Sequence, residues 1–463
     1  MVSAGLPWRR PAAPRSALAG RVAGAAVRWL ALGALGMLGT LGGCASSSAD
    51  APATLRYSTD ELPAGLALVW PAPPEPARFV YAGSLSGERN FSAAASASRW
   101  RAFGRWLVGL DDNDRPELLQ RPAAVLHDPA GQRLYVSDTG RQAVFVFDQA
   151  AGRLQVWDRA GGLLRLHSPG GLALAADGGL FVADAQLGVV LRLDRQGEPQ
   201  AEIGRGQLQR PTGLARDATT GRLFVADTQA HDIKVYDPRS GALLATLGGR
   251  GEAPGRFNFP THLAWARGAL YVTDTFNQRV QVLSGGGLDG TAALEPAAVQ
   301  ARSIGRAGLQ LGDLVRPKGV AVDGAGRVYV VESYYDSLLV YDAHGDFLLP
   351  VGAGVGAAGL VADRWQLPAA TATAAAAAAA HADPAGAGVG ADRAGPAAVA
   401  APGAAARFFL PAGVWADADG QVWVADQFKG RVVRLRYVGP PEAAEVPAAQ
   451  GGPAAVRTSG AGG

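Results

Sequence analysis

One grammar recurs six times between residues 121 and 438, and it limits the chain more than any other feature. Each unit starts at a proline, followed by small residues and a short apolar run. A turn leads to a second run that ends on an acid, and a third apolar run follows. The prolines are Pro122, Pro169, Pro211, Pro260, Pro317 and Pro411. The second runs are Leu134–Asp138, Leu180–Asp184, Leu223–Asp227, Leu270–Asp274, Val328–Glu332 and Val422–Asp426. Successive prolines are 47, 42, 49, 57 and 94 residues apart. The last interval contains an Ala/Gly/Pro-rich insert, 361–406; without its 46 residues the spacing returns to 48. Runs of Val, Leu, Tyr and Phe with period two, bounded by Gly, Asp and Pro, are strands rather than helices. One such small sheet cannot bury both its faces, whereas a ring of sheets buries each against its neighbours. A unit of about 45 residues is the size of a propeller blade. The expected fold is all-β, a six-bladed β-propeller with four-stranded blades.

A ring must close. The sixth unit ends near Tyr437 after three strands, and Gly439-Pro440-Pro441 opens a Gly/Ala-rich stretch, 439–463, read as a disordered tail. Upstream, Arg78–Leu85 resembles Leu243–Gly249, the strand that ends the third unit. It is expected to pair with 431–437, so that an N-terminal strand closes the ring. It belongs to a segment, 67–120, that also carries Trp100, Phe103, Trp106, Leu107 and Leu110 at helical spacing. These are expected as an amphipathic helix packed on the propeller, with an interfacial membrane or partner helix as the alternative.

The N-terminus reads as an address. Residues 1–43 hold Arg9, Arg10, Arg15, Arg21 and Arg28 and no acid, then an apolar stretch from Trp29 to Thr40. That stretch is shorter than the roughly 20 residues a permanent membrane span needs, which marks it as a signal peptide. Leu41-Gly42-Gly43-Cys44 follows and resembles a bacterial lipobox. Lipidation of Cys44 is therefore expected, with 44–66 as a flexible tether and the membrane as a partner through the acyl chains. The resemblance to sorting signals, with Ala45 after the cysteine, implies the outer membrane facing the periplasm. Without the five leader charges the formal net charge of +3 becomes −2, so no nucleic acid is expected as partner. Cys44 is the single cysteine, which rules out an internal disulfide and a zinc site of four cysteines.

The units resemble NHL repeats, whose pattern runs Pro-x-Gly-Val-Ala-Val-Asp, then Val-Tyr-Val-Ala-Asp-Thr-x-Asn-x-Arg-Val. Residues 255–283 and 316–342 match it best, and the resemblance spans about 120–438. It implies a bacterial six-bladed NHL lipoprotein. Glu332 departs from the second-strand Asp, and only the fourth unit keeps Thr-x-Asn, as Thr275 and Asn277.

Catalytic chemistry is thin. Asp138, Asp184, Asp227, Asp274, Glu332 and Asp426 recur at one place in every unit, which reads as a structural turn acid. Lyases that resemble these repeats place several histidines near the start of the first strand. The corresponding positions here are Ala124, Gly171, Gly213, His262, Gly319 and Gly413. One histidine is not a metal site, and no metal or cofactor is expected. His262, Lys318, Tyr334 and Tyr335 are the candidate ligand contacts, the tyrosines as an exposed aromatic pair in the fifth unit. The reading is a lipid-anchored scaffold that binds another envelope protein or a ligand, with no catalytic constellation visible. The alternative is an envelope hydrolase or lyase with its site in the central channel.

Overall fold

A computed structural model describes residues 53–62, 67–72, 74–92, 116–352 and 407–440. The leader, Cys44, the helix expected around 100–110, the insert 361–406 and the tail beyond 440 lie outside the described residues.

Among the described residues six antiparallel sheets form the ring, and in five of them four strands are hydrogen-bonded in chain order. Blade 1 comprises Pro122–Asp128, Arg133–Asp138, Ala143–Asp148 and Arg153–Trp157. Blade 2 comprises Pro169–Leu174, Leu180–Asp184, Val189–Leu193 and Pro199–Ile203. Blade 3 comprises Pro211–Arg216, Leu223–Asp227, Asp232–Asp237 and Ala242–Gly248. Blade 4 comprises Pro260–Ala266, Ala269–Asp274, Arg279–Gly285 and Val299–Ile304. Blade 5 comprises Pro317–Val322, Val328–Glu332, Ser337–Tyr341 and Phe347–Val351. Blade 6 comprises Pro411–Ala416, Gln421–Asp426 and Arg431–Tyr437.

The proline that starts each blade suits a strand's first residue, because proline has no N–H to give to the ladder. Each first strand then shifts register, as between Pro169 and Leu172 or Pro411 and Val414. This bulge explains the small residues after the proline. The six first strands neighbour one another in sequence around the ring, that of blade 6 lying beside that of blade 1, and so they line a central channel.

Burial falls from the axis outward. Leu180–Asp184 is buried at every residue, whereas Pro199–Ile203, at the outer edge of the same blade, is mostly exposed. An inner strand has a blade on both sides, so its apolar run is nearly continuous. The core is accordingly a set of wedges between blades. Phe224, Leu263 and Val272 fill the wedge between blades 3 and 4, and Tyr271, Val320 and Tyr341 that between blades 4 and 5.

Closure follows the expected clasp. Phe79–Leu85 pairs antiparallel with Arg431–Tyr437, setting Leu85 opposite Val432 and Phe79 opposite Tyr437. Val69–Trp70 adds a further strand outside it. Phe79 and Tyr81 enter the wedge between blades 5 and 6, and Leu85 that between blades 6 and 1. Each such side chain is worth about 1.5–3 kcal/mol of burial, so the clasp stabilises both flanks of its blade.

The expected tether 44–66 needs correction. Thr54–Leu55 pairs with Phe91–Ser92, and Ser58 bridges Ser84. Tyr57 lies under the Arg434 guanidinium at 3.8 Å and its hydroxyl accepts the Trp423 indole N–H at 3.0 Å. Residues 53–62 thus belong to the folded ring, because Tyr57 and Leu55 cover apolar surface that blades 6 and 1 leave open.

Candidate functional site

Two faces follow from this topology. The proline face carries the starts of the first strands and the turns between second and third strands. The hairpin face carries the turns between first and second strands.

The repeated acids sit just inside the proline face, fully buried. Asp138 accepts the backbone N–H groups of Gln120 and Arg121 at 2.7 and 3.0 Å, and those of Gly140 and Arg141 at 2.9 Å. Asp184 does the same for His167, Ser168, Gln186 and Leu187. Each acid holds the linker arriving from the previous blade, and Asp138, Asp184 and Glu332 also hold the backbone of their own turn. In blades 3, 4 and 6 a cation joins: Lys234 at 3.0 Å from Asp227, Arg279 at 2.9 Å from Asp274 and Arg431 at 2.9 Å from Asp426. Asn277, of the Thr-x-Asn element, donates to Asp274 at 2.8 Å. Glu332 keeps the pattern despite its extra methylene, accepting N–H groups from Val315, Arg316 and Tyr334 at 2.9 Å. Burial pushes the Glu332 and Asp426 carboxyls up. With their oxygens spent on the backbone, these acids are structural.

The channel narrows one step deeper. A Cβ on Gly171 would lie 2.5 Å from the Leu214 nitrogen, and one on Gly413 would lie 2.5 Å from the Ala123 oxygen. Adjacent first strands approach that closely, which is why this position is glycine in four of the six blades. His262 is the large exception, set against backbone of Lys318 and reaching Ala123 of blade 1. Burial, then the nearby Lys318 charge, lowers its pKa to about 4, so the imidazole is neutral at pH 7. Burial and Arg316 lower the Lys318 ammonium in turn. These two candidates do meet, at the waist of the channel.

The tyrosine pair divides. Tyr334 is exposed, but Tyr335 is buried with its hydroxyl unpartnered, which corrects the expected exposed pair. Asp336 takes a left-handed φ of 51° and the turn folds Tyr335 inward, edge-on to Tyr334 at 5.1 Å. Tyr334 instead joins an aromatic rim of the proline face. Phe276 is 60% exposed, Tyr334 and Phe428 53%, and Phe409 48%. Phe276 packs edge-on to Phe259 at 5.0 Å, Phe409 edge-on to Phe428 at 5.2 Å, and Arg121 lies over Phe428 at 5.7 Å.

Sequence reasoning missed His127 and Arg216, which line the hairpin-face end of the channel with His262. A signal existed. The last aligned column of the first strands reads His127, Leu174, Arg216, Trp265, Val322 and Ala416, and only two of the six are strongly polar. Among the described residues no three of His, Cys, Asp and Glu are grouped to hold a metal ion.

No family model matches the chain. It is 31% identical to NHL repeat-containing protein 2 of Bos taurus, across 25% of this chain and 20% of that protein. It is 28% identical to Protein brain tumor of Drosophila melanogaster, across 32% of this chain and 13% of that one. The chain therefore spans a fifth or less of these relatives' lengths. Among solved structures, an auxiliary nutrient binding protein from Bacteroides thetaiotaomicron aligns at 13% identity and a TM-score of 0.47, covering 69% of this chain and 70% of that one. A streptogramin B lyase aligns at 12% identity and a TM-score of 0.43, covering 69% and 94%. The six-fold grammar, its closure into a ring of six blades and sequence relatives that include NHL repeat-containing protein 2 make this chain an NHL-repeat β-propeller.

Proposed function

We propose that this propeller is a lipid-anchored, non-catalytic binding scaffold of the cell envelope, held at the outer membrane through Cys44 and presenting its proline face to another envelope protein. The aromatic rim carries this reading. Scattered apolar residues on a surface are ordinary, but four large aromatics on one face of blades 4 to 6 are the composition of a recognition surface. Arg121 over Phe428 adds the residue type that accompanies aromatics at interface centres. A catalytic channel is the competing reading. It draws on His262 and Lys318, whose depressed pKa values suit acid–base work. The position that resemblance would fill with several histidines here holds one, which favours the scaffold.

Photo-crosslinkers placed at 276, 334 and 428 in the lipidated protein test the face. One discrete adduct in isolated envelopes is expected, and the adduct from position 334 is expected to be lost in a Phe276→Ser/Phe428→Ser background. Equal labelling from crosslinkers on the hairpin face, or none from any position, overturns the proposal. Cys44→Ser is expected to release the protein from membranes, and continued flotation would refute the anchor.

A further inference from the structure

On the hairpin face the channel opens as a funnel of about 270 Å³. Leu126, Leu174, Leu214, Leu263, Val322 and Trp415 supply apolar wall, and no Asp or Glu lines it. Three lining side chains each hold a buried nitrogen without a hydrogen-bond partner: His127 Nδ1, Arg216 Nε and His262 Nδ1. Buried polar atoms are nearly always paired, and an unpartnered Nε on a charged guanidinium is the most costly of the three. The nearest acids are committed elsewhere. Asp217 accepts the N–H groups of Thr219 and Thr220 at 2.9 and 3.1 Å, and Asp177 pairs with Arg192. Arg216 is left facing whatever enters the funnel.

We propose that this funnel is a binding site for a small apolar carboxylate, with Arg216 holding the carboxylate and the Leu, Val and Trp wall holding the body. A guanidinium matches a carboxylate in both charge and geometry, and a charge-assisted hydrogen bond is about twice as strong as a neutral one. Burial lowers the pKa of both His127 and His262, so their imidazoles are neutral near pH 7 and add polar contacts without competing charge. A cation would meet Arg216 at close range, with no acid among the residues that line the funnel. The volume lies below the roughly 300–1,000 Å³ of sites for drug-sized molecules, so the ligand is small. The site opens opposite the aromatic rim and does not depend on the scaffold reading.

Calorimetric titration of the whole protein with hexanoate, 1-hexanol and hexylamine tests the site. Hexanoate is expected to bind one to one, 1-hexanol at least about tenfold more weakly, and hexylamine not at all. Arg216→Met removes the preference for the acid over the alcohol. Leu174→Trp fills the mouth with Arg216 intact and weakens hexanoate at least about tenfold. Circular dichroism confirms that both variants keep the sheet signal. Absence of hexanoate binding, equal binding of acid and alcohol, or unchanged binding in a folded variant overturns the proposal.

Discussion

Two rings of six residues lie within two positions of each other along this propeller, and each contains one large departure from its rule. In the ring of acids the departure is Glu332. In the ring after the prolines it is His262. Glu332 still accepts N–H groups from the arriving linker and from its own turn, as Asp138 and Asp184 do, so the departure leaves that tie in place. His262 puts an imidazole where four blades have no side chain at all, and it fills the waist of the channel. Repetition around a ring marks what every blade needs in order to meet the next one. A departure matters where the altered side chain reaches space that another molecule could enter.

The comparison breaks first if the acids are dispensable. Asp274→Ala strands Asn258 N–H, Asn277 Nδ2, Arg279 Nε and Gln281 Nε2, all of which now donate to one carboxylate. Removing one partner of such a buried charged network costs about 3–5 kcal/mol. Urea denaturation should show the midpoint falling accordingly. A loss below about 1 kcal/mol would mean that the acids do not staple the blades.

His262 should differ by responding to pH. Its folded-state pKa, about 4, lies below the ordinary value of 6.5, so the unfolded chain takes up the proton first as pH falls. The stability that depends on the neutral imidazole is fully present above pH 6.5 and is lost as pH falls from 6.5 towards 4, on the order of 3 kcal/mol. Glu332 and Asp426, with raised pKa values, contribute the opposite slope, so the difference between variants is the measurement. His262→Leu is expected to stay within about 1.5 kcal/mol of the parent at pH 7 and to lose less stability down to pH 4. Parallel pH profiles for the two proteins would show that the imidazole is not desolvated at the waist.

What could be read beforehand follows the same division. The blade count, the proline starts, the buried acids and the Phe79–Leu85 clasp all repeat or imitate a repeat, so six copies of one constraint made them visible. Tyr57 occurs once, and nothing local in the sequence announces that Arg434 and Trp423 will meet it. His127 and Arg216 come from blades 1 and 3, and only alignment of the first strands, followed by closure of the ring, brings them to one funnel. Tyr334 and Tyr335 are adjacent and chemically alike, and a left-handed Asp336 decides which one meets solvent.

The post-proline glycines sharpen the comparison at a smaller scale. Gly413→Ala places a methyl group 2.5 Å from the Ala123 oxygen, so the first strands of blades 6 and 1 must part. Overpacking of this kind costs about 1–3 kcal/mol, measurable as a lower urea midpoint. The same change at Gly206, whose added Cβ would meet nothing within 4 Å, costs only the strain of its positive φ of 75°. If Gly413→Ala proves no worse than Gly206→Ala, close approach of the strands is not what keeps the channel ring small.

The smallest effect on stability belongs to the aromatic rim. Phe276 and Phe428 project from turns tied to the incoming linkers, the Phe276 N–H donating to the Asn258 carbonyl at 3.0 Å and the Phe428 N–H to the Phe409 carbonyl at 3.2 Å. Each makes one aromatic contact at its own edge. Exposed side chains of this kind change stability by no more than about 0.5 kcal/mol when replaced. The Phe276→Ser/Phe428→Ser protein should therefore melt with the parent while losing its envelope crosslink. The two rings predict the opposite for Asp274→Ala, which unfolds at lower urea for reasons unrelated to any partner. A rim variant that loses several kcal/mol would place these phenylalanines with the architecture, among the residues every blade needs, and would remove the surface on which the scaffold reading rests.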